Sequence, residues 1–126
     1  MIVGIGTDRV VIARIGSSLA RFDERFIRRI YTDHEARQSL AKGNSARRFA
    51  MLFAGKEAVA KALGTGFHQG VAPSHIEIIH QPSGKPEVQL HHGALAAARR
   101  LGIQTVHISL TDDDGIAMAF AVAESS

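Results

Sequence analysis

Apolar positions recur along this chain with two periods, and the switches between them mark its elements. Ile2, Val3 and Ile5, interrupted by Gly4 and Gly6 and followed by Thr7 and Asp8, predict a short β-branched strand ending on a carboxylate. Val11, Ile12, Ile15 and Leu19 then recur at helical spacing, with Arg14 and Arg21 on other faces and a start near Arg9. Phe26, Ile27 and Ile30 predict a second short helix. Thr32-Asp33-His34-Glu35 ahead of Ala36 and Leu40 predicts a third, with Asp33 as its cap. Gly43-Asn44-Ser45 breaks the pattern, and Asn44 or Ser45 is positioned to cap a fourth helix.

Residues 45–63 carry the strongest helical signal, rich in Ala, Leu, Met and Lys, free of proline and closed by Gly64-Thr65-Gly66. Phe49, Leu52, Phe53, Val59 and Ala60 spread around this helix, which predicts burial on most sides. Residues 76–79 and 87–90 read as strands flanking Pro82-Ser83-Gly84-Lys85-Pro86. A helix over 94–101 stops at Gly102, and 106–110 with 116–122 form a hairpin around Asp112-Asp113-Asp114-Gly115. The order β-ααα-α-ββ-α-ββ segregates helices from strands, so the fold class is α+β.

Composition narrows the class. The chain has 126 residues, enough for a single domain over 1–126 with one core. It has no cysteine, which excludes disulfide frameworks, thiolate zinc sites and thiol catalysis. Charged residues within 1–21 interrupt any leader-like run, and no stretch approaches about eighteen consecutive apolar residues, so a cytoplasmic chain without a membrane partner is expected. Lys and Arg number 15 against 12 Asp and Glu, and nine of the eleven arginines lie between Arg9 and Arg48. That localised excess points to an acidic partner.

Three side chains suggest chemistry. Asp8 caps or turns the first strand, or approaches a ligand there. Glu57 and Lys61 are four apart on the long helix, either an exposed pair or a functional one on a helix with little solvated surface. Two carboxylates suffice for magnesium, which completes its shell with water and substrate phosphates, and Lys61 beside them suits phosphate chemistry. The Gly64-Thr65-Gly66 loop offers backbone amides to phosphate oxygens. Gly4-Ile5-Gly6 lacks the third glycine of a dinucleotide fingerprint. His34, His68, His75, His80, His91 and His92 have no metal-ligand spacing, whereas His107 opens an alternating strand whose odd positions share a polar face. The Asp112–Asp114 run reads as a solvated turn.

Gly4-Ile5-Gly6-Thr7-Asp8 followed by Ile12-Ala13-Arg14-Ile15 resembles the opening motif of holo-acyl-carrier-protein synthases. Phe53-Ala54-Gly55-Lys56-Glu57-Ala58-Val59-Ala60-Lys61-Ala62-Leu63-Gly64-Thr65-Gly66 is similar to their second signature almost residue for residue. Gly84-Lys85-Pro86 and His107-Ile108-Ser109-Leu110 match the third and fourth in order and spacing. The resemblance spans the chain and implies the 4′-phosphopantetheinyl transferase-like fold, β-ααα(α)-ββ-α-ββ, with a long central helix on a mainly antiparallel sheet. It implies transfer of 4′-phosphopantetheine from coenzyme A to a serine of apo acyl carrier protein, releasing adenosine 3′,5′-bisphosphate, in a homotrimer with nucleotide clefts between subunits. By position it makes Asp8, Glu57, Lys61 and His107 catalytic, and Asp8 and Glu57 ligands of Mg²⁺. Lys61, Gly64, Thr65, Gly66, Gly84, Lys85, Pro86, His107 and Ser109 fall at coenzyme-contacting positions.

Arg14, Arg21, Arg25 and Arg28 are the residues expected to meet the carrier protein. The serine proton goes to a metal-bound water or to a carboxylate near Asp112-Asp113. The chain departs from the usual pattern at Arg9 (commonly Ile), Val11 (commonly Glu), Leu52 (commonly Arg) and Thr111-Asp112 (commonly Ser-His). Fatty acid synthesis is the expected setting, and a polyketide-type carrier the alternative. A small basic nucleic-acid-binding module is a weaker reading, because aromatic residues are only 6% and Trp is absent. A non-catalytic oligomeric scaffold explains the apolar helix but not Asp8, Glu57 and Lys61.

Overall fold

The computed structural model describes residues 1–41 and 43–126. Its elements are β1 Ile2–Val11, α1 Ile12–Phe22, α2 Glu24–Ile30, α3 Asp33–Leu40, α4 Ser45–Ala62, β2 Ile76–His80, β3 Pro86–Leu90, α5 His92–Leu101, β4 Ile103–Asp113 and β5 Ile116–Ser125. A 3-10 turn, Pro73–His75, leads into β2. The architecture is the expected α+β one. Three antiparallel strands in the order β1-β5-β4 form one sheet, and β2 with β3 forms a separate hairpin. No helix among the described residues is long and apolar enough to cross a membrane.

Helix α4 lies on one face of the three-stranded sheet, and small residues make that contact close. Ala117, Ala119, Ala121 and Ala123 of β5 turn their methyl groups inward and are buried. On β1 a Cβ at Gly4 would fall 2.0 Å from the Ala62 carbonyl oxygen, and one at Gly6 would fall 2.0 Å from that of Ala58. Only glycine allows the strand backbone to rest on the helix backbone there. Further along, α4 spans the junction of the sheet and the hairpin: a Cβ at Gly55 would lie 2.5 Å from Ile78 Cδ1 of β2 and 3.0 Å from Ile108 Cδ1 of β4. The helix is therefore buried on most sides, as its pattern predicts.

Several boundaries differ from the expectation. β1 continues through Asp8, which faces Ala119 in the ladder, to Val11, so Asp8 does not end the strand. Val10 and Val11 sustain the extended backbone against β5, and α1 begins at Ile12 instead of Arg9. Thr32, not Asp33, caps α3, in a reciprocal capping box with Glu35. Asn44 precedes α4 in a left-handed conformation and makes no side-chain cap bond. Asp114 and Gly115, both at positive φ, turn the β4–β5 hairpin as the acidic run suggested.

The outer face of the sheet is left bare. Ile5 is 61% exposed, Met118 47% and Phe120 45%, an apolar strip on a surface otherwise carrying Thr7, His107, Ser109 and Thr111. The alternation expected for β4 therefore holds, but β1 and β5 make the same face apolar.

Candidate active site

The β1–α4 contact brings the predicted acids and lysine together. Lys61 Nζ donates to the Thr7 carbonyl at 2.9 Å and to Asp8 Oδ1 at 3.2 Å. Its ionic partner is thus Asp8 across the element boundary, in place of the i,i+4 pair with Glu57 that spacing alone allows. The Asp8 carboxylate is 18% exposed and the Lys61 side chain 52%. Burial pushes the Glu57 carboxyl above its ordinary range, the Asp8 charge pushes it the same way, and Lys61 opposes both. Two carboxylates close enough to repel, with one ammonium beside them, favour an added cation.

Among the described residues no group of three or more His, Cys, Asp or Glu is arranged to hold a metal. Asp8 and Glu57 are a two-carboxylate set, which fits a hard cation that takes its other oxygens from water and phosphate and does not fit a closed protein cage. A cavity of about 430 Å³ over the outer face of the sheet reaches Asp8 and Lys61 and is otherwise lined by Thr7, Arg9, Ser109, Thr111, Met118 and Phe120.

The other expected positions divide. Lys85, Pro86 and His107 line a second cavity of about 490 Å³ between β3 and β4. Gly84 lines a third, of about 720 Å³, with Arg47, Arg48, Leu52 and His80. Asp8 and His107 stand on β1 and β4, the two outer strands of the sheet with β5 between them. Within one chain Asp8 and the Lys85–His107 group therefore line separate cavities on different outer strands, while Ser109, on the same strand as His107, lines the Asp8 cavity. His107 Nε2 lies 2.9 Å from Glu124 Oε1, and that hydrogen bond holds the Glu124 carboxyl below its ordinary range.

Two expectations about local chemistry change. The amides of Gly64 and Gly66 donate to Lys61 O and Ala60 O, at 2.9 and 3.1 Å, closing the last turn of α4. They are engaged there and are not free for phosphate, while Thr65 Oγ1 donates to Gly66 O. Asp112 accepts from Arg47 Nη2 at 2.8 Å, and this bond holds its carboxyl below the ordinary range. A tethered, acid-shifted carboxylate is a weak base for a serine proton.

Arg14 and Arg21 on α1 and Arg25 and Arg28 on α2 are exposed on consecutive helices. Arg28 Nη2 is 3.5 Å from Glu24 Oε2 in an open i,i+4 pair, and Arg21 lies 5.4 Å from the Phe22 ring centre.

Sequence reasoning missed a buried pair that fixes α4. Lys56 Nζ donates to Glu35 Oε1 at 2.7 Å, to Pro73 O at 3.0 Å and to the Ile76 carbonyl. Glu35 accepts from Thr32 N at 2.9 Å and through Oε2 from Ile78 N at 2.8 Å. Both side chains are essentially inaccessible, at 1% and 0%. Burial pushes the Lys56 ammonium down and Glu35 opposes it. The available signal was a lysine in a helix whose neighbours are mostly apolar. The pair joins α3, α4 and β2 beside Glu57, so it sets how α4 presents that carboxylate.

Comparison with known proteins identifies the family and the fold. Residues 4–121 match the family model described as the 4′-phosphopantetheinyl transferase superfamily. A holo-[acyl-carrier-protein] synthase of Methylobacterium nodulans is 46% identical, over 99% of this chain and 98% of that protein. The crystal structure of the Neisseria meningitidis holo-[acyl-carrier-protein] synthase superposes with a TM-score of 0.91 at 38% identity, covering 99% of this chain and 100% of the other. The Helicobacter pylori holo-[acyl-carrier-protein] synthase, solved in complex with coenzyme A, gives 0.82 at 31% identity, covering 95% and 99%.

Proposed function

The chain belongs to the 4′-phosphopantetheinyl transferase superfamily, and from that premise we propose that it transfers 4′-phosphopantetheine from coenzyme A to a serine of apo acyl carrier protein. The reading is carried by one observation: glycine-mediated contact of β1 with α4 sets Asp8, Glu57 and Lys61 against one another beside an open cavity. The serine oxygen forms a bond to the phosphorus that carries pantetheine. The bond from that phosphorus to the bridging oxygen breaks, and adenosine 3′,5′-bisphosphate leaves with the electron pair. The serine proton passes to a base other than Asp112.

Asp8 and Glu57 are the residues that would hold Mg²⁺, which when bound neutralises diphosphate charge. Lys61 supplies a fixed positive charge next to Asp8 and stabilises the negative charge that grows on the leaving phosphate. Lys85, Pro86 and His107 serve the nucleotide end of the coenzyme. Because they line a cavity separate from the one at Asp8, the complete site forms between copies, and the bare apolar face of the sheet is the surface through which copies associate as a trimer. Exposed Arg14, Arg21, Arg25 and Arg28 receive the acidic carrier protein, that of fatty acid synthesis first.

Mass spectrometry tests the reading. Incubation with coenzyme A, Mg²⁺ and apo carrier protein should add about 340 Da, the transferred group of this phosphoryl chemistry. Chelation should stop the gain, and no gain on either fatty-acid or polyketide-type carriers would overturn it. Preference between the two carriers identifies the client.

A further inference from the structure

The 3-10 turn Pro73–His75 is closed by an imidazole. His75 Nδ1 accepts from the Ala72 backbone N–H at 3.1 Å, while the His75 N–H donates to Ala72 O at 3.0 Å. A side chain reaching back three residues to the cap amide is ordinarily Glu or Gln, as Glu35 does to Thr32 at the start of α3. Histidine at that position makes the closure titratable. An accepting Nδ1 puts the proton of the neutral ring on Nε2. A second proton has only Nδ1 to bind, where it meets the Ala72 N–H donor to donor.

The backbone of this turn also holds α4. Pro73 O accepts from Lys56 Nζ at 3.0 Å, and the carbonyl of Ile76, the next residue after the turn, accepts from the same ammonium. Glu35 is its third partner, so opening the turn strips acceptors from a buried charge. His75 O in turn accepts from His91 N at 2.8 Å, which ties the turn to the start of α5. The charged groups around the ring are His91 and His92 from α5, Glu77 from β2 and Lys56 from α4. The His92 ring centre is 5.5 Å away, and His91 Nε2 is held by Glu77 at 3.0 Å. Helix α2 packs on the turn as well, but its Glu24, Arg25, Arg28 and Arg29 are exposed. Burial pushes the His75 imidazole below its ordinary value, and the His92 and His91 charges push it the same way. We propose that His75 is an acid-sensitive latch: the neutral ring closes the turn over Lys56, and the protonated ring releases it, loosening α4 beside Glu57. The folded chain takes the proton less readily than the unfolded one. Stability is therefore full above the unfolded histidine value of about 6.5 and declines as pH falls below it, until the folded value is passed.

Urea midpoints of the full chain between about pH 7.5 and about pH 5.5, at fixed protein concentration, test the latch. His75→Gln keeps an acceptor for Ala72 N–H and does not titrate, and it shares His91 and His92 with the wild type. The wild-type folding constant should fall several-fold relative to that of His75→Gln over this range, one proton allowing at most about tenfold per pH unit. His75→Ala should be the less stable protein at the neutral end and as flat as His75→Gln. Parallel curves for wild type and His75→Gln would overturn the proposal, as would an imidazole nitrogen NMR spectrum of the wild type placing the neutral-ring proton on Nδ1. The effect on activity rests on the transferase reading above: wild-type kcat should fall in acid ahead of that of His75→Gln, with KM for coenzyme A little changed. Equal acid losses would overturn the coupling to α4. If neither protein transfers at any pH, the enzymatic reading fails, and the urea curves still decide for or against the latch.

Discussion

Asp8 and Glu57 repel one another in the absence of a cation, and that repulsion predicts how their variants behave. Asp8→Asn and Glu57→Gln should each reduce transfer by at least about a hundredfold, the scale of losing charge stabilisation at a phosphoryl centre. Melting temperature in metal-free buffer should hold or rise for Glu57→Gln, which removes one of two like charges, and should gain less for Asp8→Asn, which also gives up the ion pair with Lys61. Calorimetric titration with Mg²⁺ completes the test, and normal affinity in either variant would exclude that residue as a ligand. These acids were legible in the sequence because they sit in two motifs whose resemblance to a known family assigns them; residue type and spacing alone left Asp8 readable as a cap and Glu57 as half of an exposed pair. The Lys56–Glu35 pair was not, since its members lie far apart in the chain and only tertiary packing of α3 on α4 joins them.

At the scale of elements, β1 against α4 is the decisive contact. The sequence marked Gly4 and Gly6 as breaks in a strand, whereas their meaning is the absence of a side chain against another element's carbonyl groups. Gly6→Ala should cost about 1–3 kcal/mol by overpacking. It should also lower transfer beyond what reduced stability explains, because Asp8 moves off Glu57 and Lys61; denaturant melts beside kinetics at saturating Mg²⁺ separate the two effects. Helix periods transferred to the structure well, but strand ends did not. Arg9 and Val11 interrupt or end an apolar run without interrupting the hydrogen-bond ladder to β5.

The β2 strand adds a pH term. Burial pushes the Glu77 carboxyl up, but bonds from Thr32 Oγ1 at 2.6 Å and from His91 Nε2 at 3.0 Å, with the His91 and His34 charges, outweigh it and hold it below its ordinary range. A lowered folded value stabilises the protein above the unfolded carboxylate value of about 4.3 and ceases to do so as pH falls through the folded value. Glu77→Gln should therefore flatten the acid limb of the stability–pH curve, most visibly below about pH 5, as followed by denaturant midpoints.

For the whole molecule, the division of the candidate site between β1 and β4 makes a demanding prediction. Asp8→Ala and a Lys85→Ala/His107→Ala double variant, each inactive alone, should recover part of the wild-type rate when mixed and allowed to exchange subunits. Some mixed assemblies then hold one intact carboxylate edge facing one intact nucleotide edge. A mixture that stays inactive although native mass spectrometry detects mixed assemblies would place the whole site in one chain. The motif resemblance implied clefts between subunits, but periodicity did not, since it assigns residues to strands and says nothing of strand order.

Lys56 has a use outside catalysis. Its amine is shut from solvent by Glu35 and two backbone carbonyls, while Lys61 and Lys85 stand exposed. An amine-reactive label should modify the exposed lysines at once and reach Lys56 only when α4 separates from α3 and β2. Peptide mapping over time would then read the opening of the core from a single native residue, with no reporter added.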